Sequence, residues 1–189
     1  MATRSKARRG GPGKDAITLL EGDHTAVQRL FQRFEKLRKD ENNGADKAEL
    51  VKTICGELKI HTQIEEEIFY PAVRDAIDDD ELMDEAEVEH TGAKETISHL
   101  DSMRPGDELY DATVSVLGEY VKHHIKEEEV RMFPKVRKSG LDIKTLGAQL
   151  VERKHELQGE VEMESESGEA GASEADMQHG RRRPARAEH

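Results

Sequence analysis

The segment His61-Thr62-Gln63-Ile64-Glu65-Glu66-Glu67-Ile68-Phe69-Tyr70-Pro71 occurs a second time as His124-Ile125-Lys126-Glu127-Glu128-Glu129-Val130-Arg131-Met132-Phe133-Pro134, aligned without a gap. In both copies a glutamate follows the histidine by four residues and a proline closes the segment. Residues four apart lie one above the other on a helix, so each copy aims one imidazole and one carboxylate at a single point. A further pair stands upstream, Asp23-His24-Thr25 before the first copy and Glu89-His90-Thr91 before the second. The whole block from residue 24 to residue 71 therefore recurs from 90 to 134. Packing alone does not explain a repeat of polar residues at these positions. It points to a pseudo-symmetric site shared by two halves.

Apolar residues around the repeat follow helical steps of three and four. Ile17, Leu20, Val27, Phe31 and Phe34 mark a first helix from Asp15 to about Lys39, with His24 on the same stripe. Asn42-Asn43-Gly44 breaks it. A second helix from about Asp46 carries Leu50, Ile54, Leu58, His61, Glu65 and Phe69. After Pro71 the chain turns through Asp78-Asp79-Asp80, acceptors suited to cap the next helix. The third helix, roughly 80 to 102, lines up Met83, Ala86, His90, Ala93, Ile97 and Leu100. The fourth, about 107 to 137, lines up Leu117, Val121, His124, Glu128 and Met132 and ends at Ser139-Gly140. The expected fold is all-α, an antiparallel four-helix up-down bundle. Leu141, Ile143, Leu146, Leu150 and Leu157 add a short fifth helix across it.

Residues 1–14 read as a flexible basic arm, 15–158 as the bundle domain with its fifth helix, and 159–189 as a disordered tail, acidic and then basic at Arg181-Arg182-Arg183. Aromatics make up 4% of the chain and charged residues 37%, a profile of amphipathic helices rather than of a β-sandwich. A net charge of -12 argues against a general nucleic-acid binder. The basic ends, Arg8-Arg9 among them, read as solubilising arms. Cys55, the sole cysteine, forms no internal disulfide, no apolar run has the length of a membrane span, and the start lacks the apolar centre of a secretory signal. A cytoplasmic location is expected, with no membrane partner.

His24, His61, Glu65, His90, His124 and Glu128 all fall on buried stripes, and no lysine or arginine sits in those stripes to neutralise the two acids. A lone histidine on an apolar face is more often a hydrogen-bonded core residue than a ligand; six such residues together point to metal. Four imidazoles and two carboxylates exceed what one tetrahedral zinc takes, and the set is not the all-oxygen shell of calcium. Two ions favouring octahedral nitrogen and oxygen coordination fit best, each with two histidines and with Glu65 and Glu128 bridging; iron leads and manganese follows. His123, one residue off the stripe, is the alternative to His124, which the repeat selects. His99, His155, His179 and His189 read as surface residues. Glu66, Glu67, Glu127 and Glu129 read as a solvated acidic flank, with Glu66 or Glu127 able to replace a misassigned bridge. Tyr70 and Tyr120 raise a smaller question: Tyr120, four residues before His124, is within reach of the site as a redox or hydrogen-bonding group, but packing at the bundle's flank is its expected role.

The order His, His-x-x-x-Glu, His, His-x-x-x-Glu over about residues 15 to 157 resembles the hemerythrin-like, HHE cation-binding family. A ferritin-like bundle would instead use Glu-x-x-His pairs. The resemblance implies a non-haem di-iron centre bridged by the two glutamates and an oxo or hydroxo group. One position departs from the oxygen carriers of that family, which have His-x-x-x-His on the third helix. Here Lys94 stands four after His90, and a protonated lysine does not coordinate. With that histidine missing, the two metals are expected to be nearly equivalent and both open. Gln28 matches Lys94 in the first repeat.

The expected function is binding of, or reaction with, O2 or a related small molecule such as NO or peroxide, inside a bundle whose wall includes Phe31, Phe69 and Met132. Two rival readings are a catalase-like enzyme that disproportionates peroxide and an iron storage or sensing protein.

Overall fold

The computed structural model describes residues 14–40 and 43–179. Every regular element among them is helical: α1 (Ala16–Leu37), α2 (Gly44–Ile64), α3 (Tyr70–Ala76), α4 (Asp80–Asp101), α5 (Tyr110–Glu127), α6 (Phe133–Ser139) and α7 (Ile143–His179). Two π-helical turns, Glu65–Phe69 and Glu128–Met132, fuse α2 to α3 and α5 to α6. The result is five helical rods. Four form the expected bundle, α1 beside α2, α4 beside α5, and the two hairpins against one another, while α7 lies along α1 and α2.

The ends of the rods follow local chemistry. Asp15 accepts from the Thr18 amide at 2.8 Å and starts α1; Asp79 accepts from the Leu82 amide at 3.3 Å and starts α4. Each bond satisfies an amide that has no partner within its helix. Gly140 closes α6 at φ 85°, a backbone state that costs glycine nothing.

Pro71 does not end its helix, as the sequence suggested. Proline lacks an amide hydrogen and its ring crowds the carbonyl four residues back, so a regular α turn is poor there. The chain widens instead: the Tyr70 amide reaches the Glu65 carbonyl and the Phe133 amide reaches that of Glu128, five residues back in both copies. Helix then continues to Ala76 and to Ser139.

Two apolar clusters fill the bundle. One, around Ile17, Phe69, Met83, Met132, Phe133 and Leu150, lies on the side of the two π turns; the other, around Phe34, Ile54, Ile97, Val114 and Leu117, fills the opposite half. The buried histidines and glutamates belong to neither cluster, and members of both clusters flank them in the chain.

The last rod, α7, runs from Ile143 to His179. No proline interrupts the run before Pro184, and its glutamates and alanines favour helix. The arm residues 1–13, with Arg8-Arg9, and residues 180–189, with Arg181-Arg182-Arg183, lie outside the described residues.

Leu146, Leu150 and Leu157 anchor α7 to the bundle, and Gly147 lets it approach the start of α1. A Cβ on Gly147 would stand 2.6 Å from the Lys14 carbonyl oxygen and 2.7 Å from the Ala16 nitrogen. Both are backbone atoms that cannot rotate away. Gly147→Ala is expected to destabilise the protein by about 1–3 kcal/mol, the usual cost of overpacking, measured by urea denaturation.

Candidate metal centre

His24 projects from α1 and His90 from α4. His61 and His124 lie in the last turns of α2 and α5, and Glu65 and Glu128 open the two π turns. The structure brings all six together. Each is buried, the most exposed being His61 at 8%. Their inward atoms form two overlapping sets, His24-His61-Glu65-Glu128 and Glu65-His90-His124, within each of which the atoms lie no more than 4.8 Å apart. Glu65 Oε2 is 3.3 Å from His61 Nε2 and 3.4 Å from His90 Nε2. Glu128 Oε2 is 3.1 Å from His24 Nε2 and 3.6 Å from His124 Nε2. Each carboxylate thus stands between one imidazole of its own half and one of the other. His123 is exposed and turns outward to Glu89.

The outer ring nitrogens decide what the inner ones carry. His24 Nδ1 lies 3.0 Å from Glu129 Oε1, His90 Nδ1 2.9 Å from Glu66 Oε1, and His124 Nδ1 2.7 Å from Glu89 Oε2. His61 Nδ1 faces Asp23 Oδ2 at 3.7 Å, an ion-pair distance rather than a hydrogen bond. An ionised carboxylate can only accept, so these Nδ1 atoms hold a proton and the Nε2 atoms, which face inward, are the ones that can offer a lone pair to a cation. His90 Nε2 and His124 Nε2 are 3.0 Å apart, where two lone pairs repel unless a cation or proton faces them. His24 Nε2, both Glu65 oxygens and Glu128 Oε2 have no hydrogen-bond partner. Leaving carboxylates buried in that state costs several kcal/mol each. The donor set therefore fits cations bound between the histidines.

Protonation shows the same electrostatic demand. Burial would lower His24, but the Glu128 carboxylate 3.1 Å from its Nε2, with the charge of Glu65, raises its pKa to about 9. Burial and then the charge of Glu128 push Glu65 well above the usual carboxylate range. Glu128 goes the other way: burial would raise it, yet His124 and His24 hold it below that range. Burial, against the pull of Asp23, lowers His61 to about 4. A cation entering this cluster has to displace the protons that His24 and Glu65 keep.

Several residues here were not assigned to the site from the sequence. Asp23, Glu66, Glu89 and Glu129 form the outer carboxylate ring; Glu66 and Glu129 are thus not merely a solvated flank. The readable signal was their recurrence, an acid one residue before each lone histidine and one residue after each inner glutamate. Glu67 and Glu127 do behave as outer residues, pairing with Arg153 and Arg131. Lys94 Nζ is 2.8 Å from Glu66 Oε1 and so meets His90 only through that carboxylate. Phe69 and Met132 are buried in the core, whereas Phe31 lies partly exposed in an outer groove with Gln28.

Tyr70, to which the sequence assigns no role, also reaches the cluster. Its hydroxyl donates to Glu128 Oε1 at 3.0 Å and lies 3.1 Å from His90 Nε2 and 3.3 Å from His124 Nε2. The π turn explains the miss. A five-residue step places Tyr70 under Glu65, where a four-residue step places Phe69. Burial and the charges of Glu128 and Glu65 raise the Tyr70 pKa, keeping it a neutral phenol. The matching residue in the second copy is Phe133, whose ring stacks on His24 at 5.8 Å and 4°. The two histidine pairs thus have different neighbours, a phenol hydroxyl beside His90 and His124 and an apolar ring against His24.

Glu66→Gln and Glu129→Gln remove the outer charge, leaving a neutral and weaker acceptor, and leave the inner atoms in place. Each is expected to weaken metal binding about 10–100-fold without changing the number of ions bound, measured by chelator competition.

A family model, the hemerythrin HHE cation binding domain, matches residues 15–145. The chain is also similar to the crystal structure of a hemerythrin HHE cation binding domain-containing protein from Mycobacterium kansasii, with a TM-score of 0.64 and 22% identity over 78% of this chain and 89% of that one. At that identity the likeness shows the fold alone. A search of curated proteins found no match. The family match covers the bundle and all six inward-facing histidines and glutamates, and the chain belongs to the hemerythrin HHE cation-binding domain family.

Proposed function

We propose that this protein holds two non-haem iron ions, one at His24 and His61 and one at His90 and His124, with Glu65 and Glu128 shared, and that the pair takes up a small neutral molecule of the O2, NO or peroxide class. The carrying observation is the placement of each glutamate between imidazoles of opposite halves. A single ion would leave one histidine pair and its carboxylate uncompensated. Bound iron would supply reversible one-electron chemistry at open coordination positions. The chain supplies the rest: the outer carboxylates fix each imidazole's orientation, Tyr70 holds a donor proton beside Glu128, and the apolar core limits water.

The room beside the cluster supports the ligand class. A cavity of about 20 Å³ touches all four imidazoles and none of Glu65, Glu128 and Tyr70. Its other walls are mostly apolar, Val27, Leu58, Ala93, Val121 and Ile125. That space suits about one water-sized group. It is too small for an organic substrate.

A catalase-like reaction is the second reading, favoured by the Tyr70 hydroxyl, a proton donor on the cluster that a carrier of unreduced O2 does not need. Oxygen release from hydrogen peroxide that is lost in Tyr70→Phe, with iron content kept, would support it; peroxide turnover unchanged in that variant would exclude this role for the phenol.

Anaerobic reconstitution with ferrous iron is expected to give two irons per chain, and exposure to O2 to give a near-ultraviolet charge-transfer band. One iron per chain would refute the two-metal reading. Removing the metal is expected to lower the melting temperature by roughly 10 °C, as for a ligand held at about a thousand times its Kd in a domain of this size. Equal melting with and without iron would count against metal held by these buried residues.

A further inference from the structure

Resting on the proposed uptake of a small neutral molecule, we infer that this molecule enters between α4 and α5, through a gap made by Ala93 and covered by Tyr120, and that these two residues set which molecules reach the metals. The argument comes from comparing the two halves. The cavity walls pair across the repeat as Val27 with Ala93, Leu58 with Val121, and Thr62 with Ile125. If the halves were alike, the cavity would approach both hairpins equally. It does not.

On the α4–α5 side the cavity reaches Glu89, Ala93 and Tyr120, and Tyr120 is 53% exposed. On the α1–α2 side its walls are Val27 and Leu58, both buried, and the residue matching Tyr120, Glu57, is not among them. Ala93 lacks the two methyl groups that Val27 has at the same place in the first half. Removing that bulk on one side of a close-packed bundle leaves a gap there and not at its twin. Tyr120 borders the same cavity and is about half exposed to solvent.

The walls also select by charge. Glu89 lines the passage and hydrogen-bonds His124, and Glu85 and Glu127 pair with Arg131 just outside. Arg131 is the cation facing this acidic rim, and His123 lies beside Glu89. An apolar gap with a carboxylate at its mouth admits O2, NO or hydrogen peroxide more readily than an anion of similar size, for which entry means desolvation beside a like charge.

Two substitutions test this. Ala93→Val gives the second half the residue of the first, and Tyr120→Ala removes the cover. Stopped-flow binding of NO to the diferrous protein is expected to slow about tenfold in Ala93→Val and to speed up in Tyr120→Ala, with iron content unchanged. Equal rates in all three proteins would overturn the inference. Crystals of the unmodified protein under xenon pressure give a readout independent of iron chemistry. Xenon between Ala93 and Val121 that disappears in Ala93→Val supports the passage, and xenon entering beside Val27 overturns it. If the unmodified protein forms no NO adduct at all, the functional reading fails and the xenon result alone decides the passage.

Discussion

Two carboxylates buried in the middle of an apolar bundle, without a lysine or arginine beside them, are the constraint on which the rest of this protein depends. Burying such groups unpaired is among the largest single penalties a fold can carry, comparable to a large share of the net stability of a domain. Glu65 and Glu128 are tolerated because four imidazoles face them, and those imidazoles remain lone-pair donors because carboxylates outside hold their Nδ1 protons. The layers are interdependent. Without the outer acids the histidines could turn or change tautomer, and without cations or protons the inner acids would repel one another.

The outer ring also ties the two halves together. Glu66 of the first copy reaches His90 of the second, while Glu129 of the second reaches His24 of the first. Asp23 and Glu89, by contrast, face the histidine of their own hairpin, His61 and His124. Each half therefore completes the other's site. The supports behind the ring differ: Lys154 of α7 holds Asp23 at 2.7 Å, Lys94 holds Glu66, and His123 holds Glu89. Through Lys154 and Asp23, α7 supports the cluster as well as covering the bundle.

The helices and the convergence of the six inward residues were legible because both depend on periodicity. A histidine and a glutamate four apart on an apolar stripe have one direction in which to point, and His124 rather than His123 follows from the same arithmetic. Features that break the period were not legible. The π turns shift the buried stripe by one residue, so Tyr70 and Phe133 come beneath the glutamates where α-helical counting places Phe69 and Met132. The outer carboxylates sit at exposed or half-exposed positions, where an acid on a helix is ordinarily solvated, and their partners lie on other helices.

The prolines, the π turns and the inner cluster form one device. Pro71 and Pro134 are poor residues for a regular α turn, and each is accommodated by a hydrogen bond from the residue before it to the carbonyl five back. The residues whose carbonyls receive those bonds are Glu65 and Glu128 themselves. The wide turn thus begins at the carboxylate and ends at the aromatic residue, fixing the distance between them in both halves. Because the backbone device is the same twice, a single difference of side chain decides what it presents: a phenol beside His90 and His124 in one half, and an apolar ring against His24 in the other. Inequivalence of the two sites needs no change of fold. It needs one oxygen atom, placed by a turn that the proline makes necessary.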